Sequence, residues 1–442
     1  MSVRAVTAPP SKSLSHRAIL AASLAVGQSH LTGVLEAKDT ERTIAIMNAV
    51  GARIERTAPG AYTVTGNVGL CQGGPIGSPV DIDVHESGTT CRLIIPILAA
   101  GNGDFYLHGA PRMHERPVAQ LVETLRAKNV SIEYKGKEGC PPLLIQAAGL
   151  PGGLTAISME ESSQYLSGLL LASPVTRQPM IVDVVGDKAV SWPYVALTLQ
   201  TLADFDMPFS VETLGDDGAW TQADWRAMTE VVPGRTRFRV RSGMYMPHDL
   251  RVEGDWSNAS YFLIAGAVGP DPVRVEGLKA DSLQGDRAIC AILERMGARI
   301  TVDNGAIEAA PPTDGTLRGI DVDMSHCPDL VPGVAVAAAL AQGPTVIRGV
   351  AHLRIKECDR LEVPAMELRK AGATVEVLDD GLRITPGAVP TGTALALGTH
   401  GDHRIAMSLS ILERAGATVT FDDPSVVTKS FPGFFEQWKA MV

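Results

Sequence analysis

The chain has 442 residues, 45% of them hydrophobic and 20% charged, with a formal net charge of −10. That length exceeds one hydrophobic core and predicts two domains. The acidic balance argues against nucleic acid or an anionic membrane surface as a general partner, while leaving room for a local basic site.

In chain order, a short strand MSVRAVTA is followed by PPSKSLSHRA, which opens an Ala/Leu-rich helix. The prolines block a helix before this point and the serines can cap one after it. Lys12 and Arg17 are unexpected there, because the helix dipole favours acids at this end. The same kind of opening returns as SGTTCRLI at 87, SSQYLSGL at 162, SNASYFLI at 257, DLVPGVAV at 329 and DHRIAMSL at 402. Counted from SLSHRAIL at 13, successive spacings are 74, 75, 95, 72 and 73 residues. The long interval contains LGDDGAWTQADW, which reads as an insertion.

Strands ending in glycine recur at Gly33, Gly109, Gly186, Gly277 and Gly349, and second helices end at Gly51, Gly297 and Gly372. The pattern is a six-fold internal repeat of βαβαββ type. Its first helices are apolar nearly all round and are therefore buried. The expected fold class is α/β (α+β), with two similar domains of three modules each, a cleft between them and a double-crossing hinge. One domain is expected over 13–242, and the other over 1–12 plus 243–442. The chain ends early in module six, and the N-terminal strand is expected to complete that module.

Polar residues cluster where the first helices begin. They are Lys12, Ser13 and Arg17; Ser87, Gly88, Thr89 and Arg92; Ser162, Ser163 and Gln164; Asp329; and Asp402, His403 and Arg404. Exposed N–H groups and a positive dipole suit such ends to anions. Loops before the second helices add Arg112, Arg116, Arg354, Lys356, Arg360 and Lys429. Each residue also has an ordinary reading. The serines can simply be caps, the loop cations solvated, and His16 and His114 structural. The recurrence at one module position favours an anion site.

Other chemistries lack their motifs. The six cysteines form no C-x-x-C pair, so neither a zinc site nor a disulfide framework is expected, and reduced cytoplasmic thiols are. No leader or membrane-spanning run is read from the sequence. G-x-x-x-x-G-K-[ST], H-E-x-x-H and G-x-S-x-G are all missing, and GNGDFYLHG lacks the third glycine of a dinucleotide fingerprint.

The stretches PPSKSLSHRA, ESGTTCRL, GAPRMHERPVAQLV, SSQYLSGLL, CPDLVPGVAVAAAL, RIKECDRL, GDHRIAMSL and TKSFPGFFEQW, in order from residue 9 to 438, resemble the 5-enolpyruvylshikimate-3-phosphate synthase family. The resemblance implies the same two-domain, six-module fold. It also implies transfer of the enolpyruvyl group of phosphoenolpyruvate to the 5-hydroxyl of shikimate 3-phosphate, with release of phosphate, on the shikimate pathway to chorismate and aromatic amino acids. No metal or cofactor is implied, and a cytoplasmic monomer is.

By motif, Lys12, Gly88, Thr89, Arg116, Gln164, Arg360, Arg404 and Lys429 would line the phosphoenolpyruvate pocket. Lys12, Ser13, Arg17, Ser162, Ser163, Gln164, Ser191, Asp329, His352 and Lys356 would hold shikimate 3-phosphate, with Tyr194 near its ring. Asp329 would be the base, and Glu357 with Lys12 would move the proton at the methylene carbon.

Pro10, Glu86, His114 and His352 depart from the residues common at their positions in the family. Glu86 is expected to point away or pair. Gly88 keeps a small residue where bulk would crowd the phosphoenolpyruvate pocket, which predicts sensitivity to glyphosate. The sister transferases acting on UDP-N-acetylglucosamine usually carry a cysteine in the loop where this chain has Pro111, and no cysteine lies between Cys91 and Cys140. A non-catalytic anion-binding homologue would be expected to lose Lys12, Asp329 or Glu357, and all three are present.

Overall fold

A computed structural model describes residues 3–303, 305–387 and 392–442. The chain divides into two compact units: Lys12–Val252, and the stretch up to Ser11 together with Glu253–Val442. The chain passes from one to the other at 11/12 and again at 252/253.

The Lys12–Val252 unit contains three sheets, each packed with a buried helix. In the first, Leu250–Arg251 pairs in parallel with Gln28–Thr32, which pairs antiparallel with Ala61–Thr65 and through it with Arg53–Ala58. The second sheet repeats this order with Val80–Asp83, Asn102–His108, Leu143–Ala148 and Ser131–Tyr134. The third has Gly153–Met159, Met180–Ala189, Thr236–Val240 and Phe209–Leu214, with Trp220–Ala223 added at the edge. That last strand is made by the long interval's extra residues.

The helices Lys12–Leu24, Gly88–Ala99 and Gln164–Ala172 open the three modules, and nearly every residue in each is buried beyond the first turn. Apolar side chains on all faces leave no stripe for solvent, so these helices are stable only when walled in. Gly168 permits the closest approach, since a Cβ there would stand 2.6 Å from the Arg92 carbonyl oxygen.

The other unit repeats the plan. Arg4–Thr7, Val273–Glu276, Ala306–Ala310 and Arg299–Asp303 form one sheet, and Asp321–Asp323, Thr345–Arg348, Gly381–Thr385 and Thr374–Leu378 form another. The third holds Ala394–Leu397 beside Thr418–Phe421. Its buried helices are Trp256–Val268, Val331–Ala339 and His403–Leu409. Module six ends in the helix Phe434–Lys439, where Phe434 and Trp438 stack with ring centroids 5.5 Å apart and both face Phe262.

Two expectations are corrected. The N-terminal strand completes module four rather than module six, because Arg4–Thr7 pairs in register with Val273–Glu276. The strand preceding the fourth buried helix, Leu250–Arg251, belongs instead to module one. Modules one and four therefore exchange their leading strands. Without the exchange each would leave an open sheet edge, which is a liability in water.

The second correction concerns the boundary, which lies at 252 rather than 242. Residues 243–252 are held by the first unit: Tyr245 is buried, donates from its hydroxyl to the Leu171 carbonyl at 2.8 Å and accepts at its own carbonyl from Val26 N–H at 2.9 Å. Lys12 likewise belongs to that unit, as the first residue of its first helix.

Candidate active site

Residues nominated from the sequence gather within each unit. In the Glu253–Val442 unit, Asp329 sits on the turn Pro328–Leu330 that feeds the buried helix Val331–Ala339. Its Oδ1 accepts from Arg360 Nη1 at 2.9 Å and its Oδ2 from Arg404 Nη2 at 2.8 Å. Glu357 accepts from Arg360 Nη2 at 2.9 Å and pairs with Lys429 Nζ at 3.2 Å. Arg360 also donates to both oxygens of Asp402, at 2.7 and 3.2 Å.

Asp402 is a residue that the sequence marks only as a helix opening. It is the N-cap of His403–Leu409 and accepts the Arg404 N–H at 2.9 Å. Arg404 reaches further, to the Ser257 hydroxyl and, at 3.2 Å, to the Tyr261 hydroxyl.

Three carboxylates thus face three cations, and the cluster is balanced rather than a bare anion trap. Arg360 is 2% exposed. Burial opposes its charge, but Asp402, Glu357 and Asp329 outweigh burial and hold its pKa above the ordinary arginine value. Ser257, whose place in the module-four opening matches the polar openings elsewhere, is the contact that the sequence signalled but that received no role. The carboxyl of Asp286 is pushed above the ordinary aspartate range, chiefly by burial and then by the Asp329 charge. His352 is buried in the turn Ala351–Ile355, and Lys356 ends that turn partly exposed.

In the Lys12–Val252 unit, Lys12 pairs with Asp39 at 3.2 Å, and both are largely buried. Asp39 lies in the first turn of Lys38–Ala49 and was not singled out in the sequence. Ser13 is the second residue of its helix, so it is not the cap. Arg17 is buried and held by four contacts: it donates to Thr198 Oγ1 at 2.8 Å, to the Ser13 and Tyr194 carbonyls at 2.9 Å each, and to Ser167 Oγ at 3.4 Å. Burial lowers its pKa to about 10, which still leaves it charged at neutral pH.

Ser87 does cap Gly88–Ala99, accepting from Thr90 N–H at 3.2 Å. Gly88 lies against the Arg116 guanidinium, and a Cβ there would stand 2.5 Å from Cζ. Gln164 donates to Thr89 Oγ1 at 3.0 Å and accepts from Arg92 Nη1 at 3.3 Å. Ser162 Oγ accepts the Gln164 N–H at 3.2 Å, and Ser162 and Ser163 are both buried.

Ser191 is held in the left-handed region at φ 58° just before Trp192–Asp204. A serine rarely adopts that conformation, and such strain collects at functional positions. Glu86 is exposed, as is Arg112, which pairs with Glu115 at 2.6 Å.

A buried relay lies beneath these residues. His16 Nδ1 is 2.8 Å from Thr43 Oγ1, which is 2.8 Å from Thr90 Oγ1, itself 2.7 Å from the Ser87 hydroxyl. Burial drives the His16 pKa down to about 3, so the ring is neutral.

These motifs are those of one family along the whole chain. The model of EPSP synthase (3-phosphoshikimate 1-carboxyvinyltransferase) matches residues 3–438. The chain belongs to the EPSP synthase family. The 3-phosphoshikimate 1-carboxyvinyltransferase of Thiobacillus denitrificans is 40% identical over 430 residues, covering 97% of this chain and 95% of the relative. That of Nitrosomonas europaea is 39% identical over 436 residues, covering 99% and 95%.

Among solved structures, EPSP synthase from Acinetobacter baumannii superposes with a TM-score of 0.76 at 27% identity, covering 98% of this chain and 94% of that one. An enolpyruvyl transferase from Streptomyces tendae shares the fold, with a TM-score of 0.73 at 18% identity and coverage of 100% and 94%. No helix among the described residues is long and apolar enough to cross a membrane, and no group of His, Cys, Asp or Glu among them could hold a metal ion.

Proposed function

We infer that this protein is a 3-phosphoshikimate 1-carboxyvinyltransferase, joining phosphoenolpyruvate to the 5-hydroxyl of shikimate 3-phosphate. The observation that carries the reading is the convergence of five motif residues, Asp329, Glu357, Arg360, Arg404 and Lys429, in one hydrogen-bonded cluster within a chain of this family.

Arg360, Arg404 and Lys429, with Lys12, Arg116, Gln164 and the Gly88–Thr89 backbone, hold the phosphate and carboxylate of phosphoenolpyruvate. Ser13, Arg17, Ser162, Ser163, Gln164, Ser191, His352 and Lys356, again with Lys12, hold shikimate 3-phosphate. Arginine forks match both anions bidentately.

The balanced cluster suggests how the base is released. Each Asp329 oxygen accepts from one arginine, and withdrawal of either donor frees a further lone pair on the carboxylate that takes the proton. The anionic groups of phosphoenolpyruvate compete for the same guanidinium groups. Asp329 then accepts the proton of the 5-hydroxyl as its oxygen bonds to C2, and Glu357, with Lys12, delivers a proton to C3. Reversal of the C3 protonation with loss of phosphate from C2 gives the enol ether. Free thiols at all six cysteines support a reducing, cytoplasmic setting.

The test is to mix the protein with phosphoenolpyruvate and either shikimate 3-phosphate or UDP-N-acetylglucosamine and follow phosphate. Release is expected with the first acceptor alone. Release only with the second would overturn the reading.

A further inference from the structure

The helix that presents Asp402 and Arg404 is reached through the loop Gly398–Gly401, which follows the strand Ala394–Leu397. The loop backbone is unusual: His400 has φ 51° and Gly401 φ 70°, both left-handed. A non-glycine residue stays there only when its surroundings over-determine it.

The surroundings are a single buried carboxylate. Glu367, on the helix Glu362–Lys370, has no exposed side-chain surface. Its Oε2 accepts the Gly398 N–H at 3.0 Å, and its Oε1 lies 2.9 Å from His400 Nε2. Lys370 Nζ closes the group at 2.8 and 2.7 Å from the two oxygens. Gly398 is packed into this clamp, since a Cβ there would stand 2.7 Å from His400 Nε2. A buried carboxylate is costly unless its lone pairs are used, and here four donor contacts use them. Although burial works against its charge, Lys370, His400 and the Gly398 N–H hold its pKa below the ordinary glutamate value.

On the far side of the loop, the Thr399 carbonyl accepts the Asp402 N–H at 2.9 Å, and Thr399 N–H donates to Asp422 Oδ1 at 2.8 Å. The loop is therefore fixed at Gly398, Thr399 and His400, and Asp402, bonded back to Thr399, takes Arg360 through both oxygens.

We propose that Glu367 is a positioning residue of the reaction: by holding Gly398 and His400 it sets Asp402, and through Asp402 the two arginines Arg360 and Arg404. The proposal rests on the reading that those arginines bind phosphoenolpyruvate. A stability role alone would lower the melting temperature and leave substrate selectivity untouched. A positioning role acts on one substrate.

Glu367→Gln keeps an acceptor for Gly398 but loses the charge. His400→Asn tolerates the left-handed backbone but cannot reach Glu367, and its site is partly exposed, so it keeps the question open if the first variant folds poorly. In both, KM for phosphoenolpyruvate is expected to rise about ten-fold and kcat to fall with it, because Asp329 is held by the same arginines, while KM for shikimate 3-phosphate rises less than about three-fold. An unchanged phosphoenolpyruvate KM in both variants, or an equal rise in both KM values, would overturn the proposal.

The Arg360 Nε–H resonance, buried and bonded to Asp402, supplies a readout that needs no turnover. It is expected to shift in Glu367→Gln, and an unmoved resonance would also overturn the proposal. A wild-type protein that turns over neither substrate would refute the functional reading alone, and this resonance would still decide the positioning role.

Discussion

Arg404 donates to Asp329 at 2.8 Å, and this one contact joins the residue assigned as base to a cation assigned to the second substrate. With Arg360 on the other oxygen, the carboxylate is oriented but occupied. Proton transfer and anion binding are thereby linked through the same pair of guanidinium groups.

Asp329→Asn preserves an acceptor for one arginine and removes the basic oxygen. Turnover is expected to fall about 10²- to 10⁴-fold, the usual contribution of a positioned base. The thermal melt should remain cooperative. Phosphate release under saturating substrates measures this, and wild-type turnover would remove Asp329 as base.

Gly88→Ala puts a methyl group into the Arg116 guanidinium, 2.5 Å from Cζ. The guanidinium must move, and KM for phosphoenolpyruvate should rise about ten-fold, equivalent to roughly 1.4 kcal/mol. Glyphosate is expected to inhibit the wild-type protein and to inhibit this variant more weakly. Inhibition curves for the two proteins, run at equal substrate saturation, check both statements, and identical curves would contradict them.

The neutral His16 gives the stability a pH dependence with a definite sign. Its folded pKa, lowered by burial to about 3, lies below the unfolded value of 6.5. The unfolded chain therefore binds the extra proton first, and stability is lost as pH falls from about 6.5 toward 3. Near pH 5 the loss from this group is about 2 kcal/mol. Urea unfolding of wild type and His16→Gln at neutral pH and at about pH 5 should show the variant losing less. Equal losses would show that His16 is not the group responsible.

The exchanged strand predicts a localised effect of truncation. Removing residues 1–7 exposes the edge Val273–Glu276 and deletes the buried side chain of Val6, which alone contributes about 2 kcal/mol. Trp256 and Trp438 lie in that unit and report its unfolding by fluorescence. The truncated chain should lose its transition at lower urea than the intact chain, and an unchanged midpoint would contradict the pairing.

Much of this was legible in the sequence, for identifiable reasons. The six helix openings recur because each buried helix needs the same apolar run and the same polar start, and both are local properties. Asp329, Glu357, Arg360 and Lys429 could be nominated because they lie in such openings and loops. Their neutralisation could not. Asp402 is next to Arg404 in sequence, but its bond to Arg360 spans 42 positions and exists only once modules five and six are packed. Asp39, the partner of Lys12, looks like any acid in a first helical turn. The strand exchange is hidden in the sequence for the same reason. A four-residue strand carries no mark of its partner, and the choice between modules four and six depends on which sheet lacks an edge.

The central claim is that this chain moves the enolpyruvyl group onto shikimate 3-phosphate. Phosphoenolpyruvate labelled with carbon-13 at C2, incubated with the wild-type protein and shikimate 3-phosphate, tests it by NMR. The account predicts a labelled enol-ether carbon attached to the 5-oxygen, formed in step with inorganic phosphate. Phosphate without that enol ether, or label transferred only to UDP-N-acetylglucosamine, would contradict it.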